Sequence, residues 1–231
     1  MNLKWVAEEI AHYLFPNLCS FCKIKLLPNE MGICLQCLYK LPKTNNLDEP
    51  NNLSETLLAG RFPFERAASF ALFTKEGLLQ CLIHNLKYNN KPYIGELLGT
   101  LFGADLLGSN FIDTIDIIVP VPLHPKKQTI RGYNQAESFA QGISKATSIP
   151  VSTNELIRVV NNPTQTKRSK TERWKNVQGI FEVKNSDAFE NKHVLLIDDV
   201  ITTGSTLEAC AIALLKCSNI KISVATIGVA L

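Results

Sequence analysis

The most informative stretch of the sequence is His193-Val-Leu-Leu-Ile-Asp198-Asp199-Val-Ile-Thr202-Thr203-Gly204-Ser205-Thr206, which continues with Leu-Glu-Ala-Cys-Ala-Ile-Ala-Leu-Leu-Lys216. Its apolar run over 194–197 predicts a strand that is buried on both faces. An Ala- and Leu-rich segment of helical composition follows after a short polar loop. Strand, loop and helix in this order form the unit of parallel α/β sheets, which bind ligands at the carboxyl ends of their strands.

The loop of this unit offers the groups that bind a phosphate. It consists of small residues, most of them with hydroxyl donors: Thr202, Thr203, Gly204, Ser205 and Thr206. The helix that follows adds unsatisfied N–H groups and a partial positive charge, and Gly204 lets the backbone curl round an anion. Asp198 and Asp199 would repel phosphate, but they suit the hydroxyls of an adjoining ribose or a divalent cation. One phosphate beside one diol describes a 5-phosphoribosyl group.

Two other interpretations of the stretch stay open. An apolar strand ending in Asp198-Asp199 is also typical of the magnesium-binding strand of P-loop ATPases, but that site needs a Gly-x-x-x-x-Gly-Lys loop and the chain has no Gly-Lys pair. The hydroxyl residues could also be a simple helix cap. A cap accounts for one hydroxyl and leaves the two adjacent acids unexplained.

The stretch resembles the phosphoribosyl-pyrophosphate (PRPP) motif of type I phosphoribosyltransferases. Three further stretches resemble the ComF family of competence proteins: Ile83-His84-Asn85-Leu86-Lys87-Tyr88, the pair Val119-Pro-Val-Pro122 with Arg131-Gly-Tyr-Asn-Gln135, and Pro163-Thr-Gln-Thr166 with Glu172-Arg-x-x-Asn-Val-x-Gly-x-Phe181. The resemblance implies a parallel sheet of the type I phosphoribosyltransferase kind, binding PRPP together with Mg²⁺. ComF members often carry a leucine where Arg168 stands, so the resemblance does not extend to that side chain.

Two Cys-x-x-Cys pairs predict a metal site near the N-terminus. The pairs Cys19-x-x-Cys22 and Cys34-x-x-Cys37 are eleven residues apart. Each pair can present two thiolates to one ion, so the four complete a closed, tetrahedral and therefore structural Zn²⁺ site. Such an ion would hold together a segment with little apolar mass. The other cysteines lie in apolar helical contexts and are expected to be inert core residues: Cys81, Cys210 and Cys217.

The composition indicates a cytoplasmic protein. The chain has 231 residues, 45% of them apolar, which is enough for one α/β core with a small appendage. No apolar run approaches the roughly 20 residues of a membrane span, and Glu8 and Glu9 interrupt the place of a signal-peptide core. The seven cysteines are therefore expected as thiols or metal ligands. A peripheral position at the inner face of the membrane, through partner proteins, stays open.

Three parts of the chain differ in their pattern. Residues 1–45 hold a helix over 3–14 and the zinc-binding module, and residues 46–60, rich in Asn and Pro, predict a linker. Residues 61–231 hold the phosphoribosyltransferase-like domain. Its predicted strands cover 66–74, 115–122, 155–160, 178–183 and 220–230, and its predicted helices cover 75–88, 93–108 and 132–145.

Cations outside the loop are candidate contacts for pyrophosphate: Lys87, Lys126, Lys127 and Arg131. By resemblance to ComF proteins and to glutamine PRPP amidotransferases, the loop that contains the last three faces the pyrophosphate. Two phosphates and their Mg²⁺ need such cations and backbone donors. The alternative is an ordinary basic surface loop. His84 is expected to be a surface histidine.

The positive charge of the chain is concentrated in residues 161–180. The chain carries a net +3, and this segment alone holds five Lys or Arg residues against Glu172. Basic side chains interleaved with an aromatic residue are typical of single-stranded DNA binders. The candidate DNA contacts are Lys167, Arg168, Lys170, Arg173, Trp174 and Lys175. The alternative is that the same cations close over pyrophosphate, as a flexible loop does in phosphoribosyltransferases.

Two functions stay open at this stage. The ComF resemblance implies a PRPP-binding protein of natural transformation, which handles incoming single-stranded DNA in the cytoplasm beside other competence proteins. The alternative is an active phosphoribosyltransferase that displaces pyrophosphate from PRPP, in nucleotide metabolism, with an acceptor that no stretch of the sequence declares. An amidotransferase is disfavoured, because no glutaminase cysteine follows Met1. The acceptor, the oligomeric state and the partner proteins do not follow from the sequence.

Overall fold

A four-stranded parallel sheet forms the centre of the computed structural model, which describes residues 16–159 and 179–231. The spatial order of its strands is β1, β6, β5, β2. These strands are β1 (Ala67–Phe73), β2 (Ile117–Pro120), β5 (His193–Ile201) and β6 (Lys221–Ala230). A separate antiparallel pair consists of β3 (Leu156–Arg158) and β4 (Phe181–Val183). The predicted α/β fold with a parallel sheet is confirmed.

Helices cover both faces of this sheet. They are α1 (Leu35–Tyr39), α2 (Leu53–Leu58), α3 (Leu78–Tyr88), α4 (Pro92–Leu107), α5 (Pro125–Arg131), α6 (Gln135–Thr147) and α7 (Ser205–Leu214), with one 3₁₀ turn over Ser186–Ala188. The expected helix over 3–14 lies outside the described residues. No helix in the described ranges is long and apolar enough to cross a membrane.

The strand β5 shows why the sheet needs a layer on each side. Its first apolar residues after His193 are fully buried, and neighbours along the strand face opposite layers. Leu195 and Ile197 pack into a core with α3, α4 and α6, whereas Val194 and Leu196 pack into a second core with α7 and β4. A strand that is buried on both faces is apolar without alternation, as this sequence is.

The structure corrects the sequence-based expectations at two places. Residues 53–58, inside the expected linker over 46–60, form a helix that the side chain of Asn52 caps, and Leu58 at its end is fully buried. The basic stretch after β2 was expected as a loop, but residues 125–131 form α5, which begins at Pro125 and ends before Gly132 in a left-handed conformation. Asn52 caps the first of these helices, and His124 and Gly132 bound the second.

Candidate functional site

The two aspartates lie within β5, before the loop begins. This strand continues to Ile201, so Asp198 pairs in register with Thr226 of β6 instead of following the strand end. The backbone N–H of Asp199 donates to Oδ1 of Asp198 over 2.8 Å. Burial, and then the nearby Asp199, raise the pKa of Asp198 to about 7 against the partial opposition of that N–H and of Lys87. The pair is therefore an acidic site short of positive charge.

One of the predicted cations reaches this acidic pair. The Nζ atom of Lys87, in the last turn of α3, lies 2.7 Å from Oδ2 of Asp199, and both side chains are largely buried. The residues are 112 positions apart in the chain, and α3 follows β1 whereas Asp199 lies on β5. Since β1 and β5 both flank β6, the sheet order brings their carboxyl ends together.

The loop 202–206 has the form of an anion-binding turn. Gly204 has φ 72° and precedes the first residue of α7, so a left-handed conformation starts the helix. A Cβ atom at this glycine would lie 2.7 Å from Cδ2 of Leu58, and the left-handed φ is strained for an L side chain, so a larger residue would be unfavourable here. The four hydroxyl residues of the loop are exposed, and Thr203 Oγ1 and Ser205 Oγ are 3.1 Å apart. The hydroxyls therefore remain accessible to a ligand.

The other predicted cations lie on α5, beside the end of β2. Arg131 donates from Nη1 to Oε1 of Gln135 over 2.7 Å, and its guanidinium lies 5.5 Å from the ring centre of Tyr88, the neighbour of Lys87. Lys126 and Lys127 are exposed on α5. Arg131 is thus brought towards Lys87, whereas the two lysines extend into solvent.

The stretch that follows α5 holds this part of the site in place. Asn134 caps α6 and donates from Nδ2 to the carbonyl of Val121 over 2.9 Å, which fixes the connection after β2. The hydroxyl of Tyr133 donates to the carbonyl of Leu86 on α3. In the described part of the chain, Nε2 of the buried Gln135 has no hydrogen-bond partner. This stretch, which the resemblance predicts to face the pyrophosphate, therefore links the end of β2 to α3.

Two arginines near the site were missed from the sequence. Arg158, the last residue of β3, lowers the pKa of Asp198, and it also acts on His124. The pKa of His124 is lowered by burial, then by Arg158 and by the lysines of α5. Arg61 follows α2 and lies against Gly204. No local pattern marks either residue, because each comes close to the loop only through the tertiary fold.

His84 lies on the surface, as expected, with its ring 4.9 Å from that of Tyr88. The candidate DNA contacts at 167–175 lie outside the described residues.

The four predicted cysteine ligands form one cluster. Their sulfur atoms all lie within 4.8 Å of one another, and those of Cys22 and Cys34 are 3.6 Å apart. Tetrahedral zinc with bonds of about 2.3 Å needs sulfurs about 3.8 Å apart. The backbone N–H of Cys34 also donates to Sγ of Cys19. The donor set, its spacing and its closed shape therefore fit zinc.

The protonation of these thiols also favours a cation between them. Burial acts to raise the pKa of Cys19, but backbone N–H donors from Cys34, Cys22 and Phe21 outweigh it and lower the pKa to about 6. Burial and the three neighbouring thiols raise the pKa of Cys37 well above its usual value. The cluster thus favours a thiolate at Cys19 and disfavours one at Cys37. A divalent ion would remove this repulsion.

The cysteine cluster shares a core with the sheet. Cys19, Cys34 and Cys37 belong to the same group of buried residues as Leu82 of α3 and Ile94 of α4. The thiol of Cys81 donates to the carbonyl of Ser20 over 3.3 Å. The module is therefore packed against the helices on one face of the sheet.

Comparisons with known proteins agree with this geometry. The phosphoribosyl transferase domain family matches residues 133–228. Over 133 residues the chain is 36% identical to competence protein F of Haemophilus influenzae, covering 56% of this chain and 58% of that protein. The chain therefore resembles the ComF proteins over about half of its length. The match to ComFC of Bacillus subtilis is 40% identical over 100 residues, covering 43% of this chain and 38% of that protein.

A longer match covers most of the chain. The DNA utilization protein YhgH of Salmonella typhimurium is 28% identical over 212 residues, which cover 87% of this chain and 92% of that protein. The sequence resemblance to ComF proteins and the phosphoribosyltransferase type of the sheet are confirmed. The family match ends at residue 228 and includes the loop 202–206, the aspartates and most of β6.

Proposed function

We propose that this protein binds PRPP at the carboxyl edge of its sheet. The observation that carries the proposal is the continuity of Asp198 and Asp199 with an exposed hydroxyl loop that starts α7 around Gly204. The loop would bind the 5-phosphate, since its hydroxyls and the free N–H groups of the helix point to the same place. The aspartates would accept hydrogen bonds from the ribose diol.

Pyrophosphate would lie on the side of α3 and α5. On that side Lys87 contacts Asp199, Arg131 lies against Tyr88 beside Lys87, and Lys126 and Lys127 are exposed on α5. Mg²⁺ bound with PRPP would be held near the two aspartates and would neutralise the phosphate oxygens. Because Lys87 is paired with Asp199, ligand binding would exchange that contact for one to pyrophosphate.

Thermal unfolding tests this proposal directly. A ligand that binds only the native state at 100 times its Kd stabilises it by about 2.7 kcal/mol, which for a chain of this size raises the Tm by roughly 5 to 10 °C. We expect this shift with PRPP and Mg²⁺. A larger shift with ATP than with PRPP would favour the ATPase interpretation.

A transfer reaction is the second candidate, and a cavity supports it. A space of about 300 Å³ is lined by Pro122 and Leu123 after β2 and by Arg158, which acts on Asp198. An acceptor nucleophile bound there would attack ribose C1, and cations would stabilise the departing pyrophosphate. We would measure pyrophosphate release from PRPP with purine bases, pyrimidine bases and amines. Release with one of them would assign catalysis, and no release with any would leave PRPP binding alone.

The names of the relatives support a role in DNA metabolism. Competence protein F and the DNA utilization protein YhgH are both similar to this chain. We extend the proposal to cytoplasmic handling of single-stranded DNA in natural transformation, with other competence proteins as partners. The basic residues at 167–175 are the proposed DNA contacts.

The cysteine cluster completes the proposal as a structural zinc site. Its spacing and its closed coordination set support Zn²⁺ without an open position for substrate. Its place beside α3 and α4 supports a role in stability.

A further inference from the structure

The phosphate loop itself contains no positively charged residue. A phosphate ester carries close to two negative charges, and residues 202–206 offer only hydroxyls and backbone N–H groups. The surroundings are acidic as well, because Asp198 and Asp199 precede the loop and Glu208 lies in the first turn of α7. A cation from another part of the chain would therefore strengthen phosphate binding at this loop.

Arg61 is in position to supply this charge. A Cβ atom built on Gly204 would lie 3.2 Å from both Cδ and Nε of Arg61, so this side chain lies against the glycine that shapes the loop. Arg61 follows α2 closely and its backbone N–H donates to the carbonyl of Leu58. Since α2 belongs to the segment expected as a linker, its folding brings Arg61 to the start of α7.

Two contacts orient this guanidinium and leave part of it available. Nε donates to the carbonyl of Leu57 over 3.2 Å, and Nη1 donates to Oε2 of Glu208 over 3.0 Å. Within the described ranges, no hydrogen bond is recorded for Nη2. The side chain is about one third exposed, whereas that of Glu208 is 14% exposed. The carboxylate therefore anchors Arg61 at the loop from the side of the helix.

We propose that Arg61 is the cationic phosphate-binding residue of the loop 202–206, and that Glu208 holds Arg61 beside the loop while weakening its pull on an anion. This assignment rests on the proposed binding of PRPP. It deepens that proposal by assigning the 5-phosphate to Arg61 and the pyrophosphate to the α3 and α5 side. The two ends of PRPP should then respond to different substitutions.

The sign of two substitutions separates binding from bracing. Arg61→Gln removes the cation, so binding of ribose 5-phosphate should weaken about tenfold, the effect of one lost charge-assisted hydrogen bond. Arg61→Lys keeps the charge without the planar fork and should lose only about two- to threefold. Glu208→Gln removes a competing negative charge and should strengthen binding. A pair that only braced α2 against α7 would weaken binding in both variants alike.

The chain offers a matched control in Arg66. This arginine is also about one third exposed and also pairs with a glutamate, Glu55, over 3.1 Å. It directly precedes β1 and therefore lies at the amino end of that strand. Arg66→Gln should leave ribose 5-phosphate binding unchanged. The melting temperatures of Arg61→Gln and Arg66→Gln should fall by similar small amounts, because each change breaks one partly exposed ion pair.

Isothermal titration of wild type and variants with ribose 5-phosphate, with PRPP and Mg²⁺, and with pyrophosphate and Mg²⁺ tests the assignment. We expect Arg61→Gln to weaken the first two ligands and to leave pyrophosphate unchanged. The role of Arg61 would be overturned if Arg61→Gln kept the wild-type affinity for ribose 5-phosphate, or if Arg61→Gln and Glu208→Gln weakened it equally. Either result would leave the proposed binding of PRPP intact. Failure of the wild type to bind PRPP would overturn the proposed function and this inference with it.

Discussion

The cysteine cluster and the carboxyl edge of the sheet both concentrate groups that repel one another when ionised, but they are assembled differently. All four thiols come from residues 19–37, and two short chelating turns bring them within 4.8 Å. The sheet edge combines Asp198 and Asp199 with Lys87 from α3, which is more than a hundred residues away in the chain. The first site is local in sequence, and the second exists only in the folded protein.

This difference decides what holds each site together. Backbone N–H groups favour a thiolate at Cys19, but burial and the neighbouring thiols disfavour one at Cys37, so we expect the cluster to depend on an ion from solution. The acidic pair already has a protein cation, because Nζ of Lys87 lies 2.7 Å from Asp199. We therefore expect metal removal to affect the fold, and substitutions at the sheet edge to affect ligand binding.

The largest effect is expected from loss of the zinc ligands. Cys37→Ser should lower the Tm strongly and reduce bound zinc from about one ion per chain to none, because structural zinc contributes directly to folding. Since the cluster shares a core with α3 and α4, we expect the loss to extend beyond the module into the sheet. Metal analysis of untagged protein and circular dichroism would measure both effects.

The matched control for this prediction is Cys217→Ser. Cys37 and Cys217 are equally buried, at 5% exposure, but Cys217 has no thiol neighbours in the cluster. This variant should keep its zinc and lose only the small stability of one buried thiol. Equal destabilisation of both variants, or a disulfide among the four cysteines in protein from a reducing cytosol, would contradict the zinc site.

The second effect concerns the acidic pair. Asp198→Asn combined with Asp199→Asn should abolish the thermal shift of roughly 5 to 10 °C that saturating PRPP and Mg²⁺ give to the wild type. The empty variant should still fold, because it loses the mutual repulsion of two carboxylates. Differential scanning fluorimetry measures both quantities. Asp105→Asn, at a surface ion pair with Lys43, is the control and should keep the full shift.

An equal PRPP shift in the double variant and the wild type would mean that the aspartates do not bind the ribose. The carboxyl ends of the strands would then not be the ribose-binding site.

Particular residues show how far the sequence could lead. The spacing of Cys19 and Cys22 alone predicts a metal site, and the apolar run before Asp198 predicts a buried strand. The ion pair of Lys87 with Asp199 was not derivable, because strand order in the sheet brings α3 to β5. Arg61 was hidden more deeply, since it follows a helix that the sequence presents as a linker. A local pattern predicts local structure, whereas a site assembled from distant segments needs the fold.

A smaller effect should appear in the pH dependence of the empty protein. The folded pKa of Asp198 is about 7 against a usual value of 3.8, so the native state binds more protons than the unfolded state between these values. The stability that this proton provides is complete below about pH 4 and is lost as the pH rises through 7. Asp198→Asn should remove this loss. We expect the Tm of the variant minus that of the wild type to rise from pH 5 to pH 8.

Scanning calorimetry at constant ionic strength would measure this difference, with Asp105→Asn again as the control. A flat or falling difference between pH 5 and pH 8 would mean that the carboxyl of Asp198 is not held in an unfavourable environment.

The smallest effect concerns single-stranded DNA and the basic segment 161–180. We expect weak, salt-sensitive and sequence-independent binding, because residues 161–180 combine five cations with Trp174. Replacing n contacting cations among Lys167, Arg168, Lys170, Arg173 and Lys175 with Gln should reduce the salt slope by about 0.7n. Changing the exposed Lys216 and Lys221, near the amino end of β6, should leave the slope unchanged.

If the cations of residues 161–180 also close over pyrophosphate, PRPP with Mg²⁺ should compete with the DNA in fluorescence anisotropy. A five-fold Gln variant that binds DNA like the wild type would remove the segment from this role, and wild type without binding at low salt would transfer the DNA contact to a partner protein.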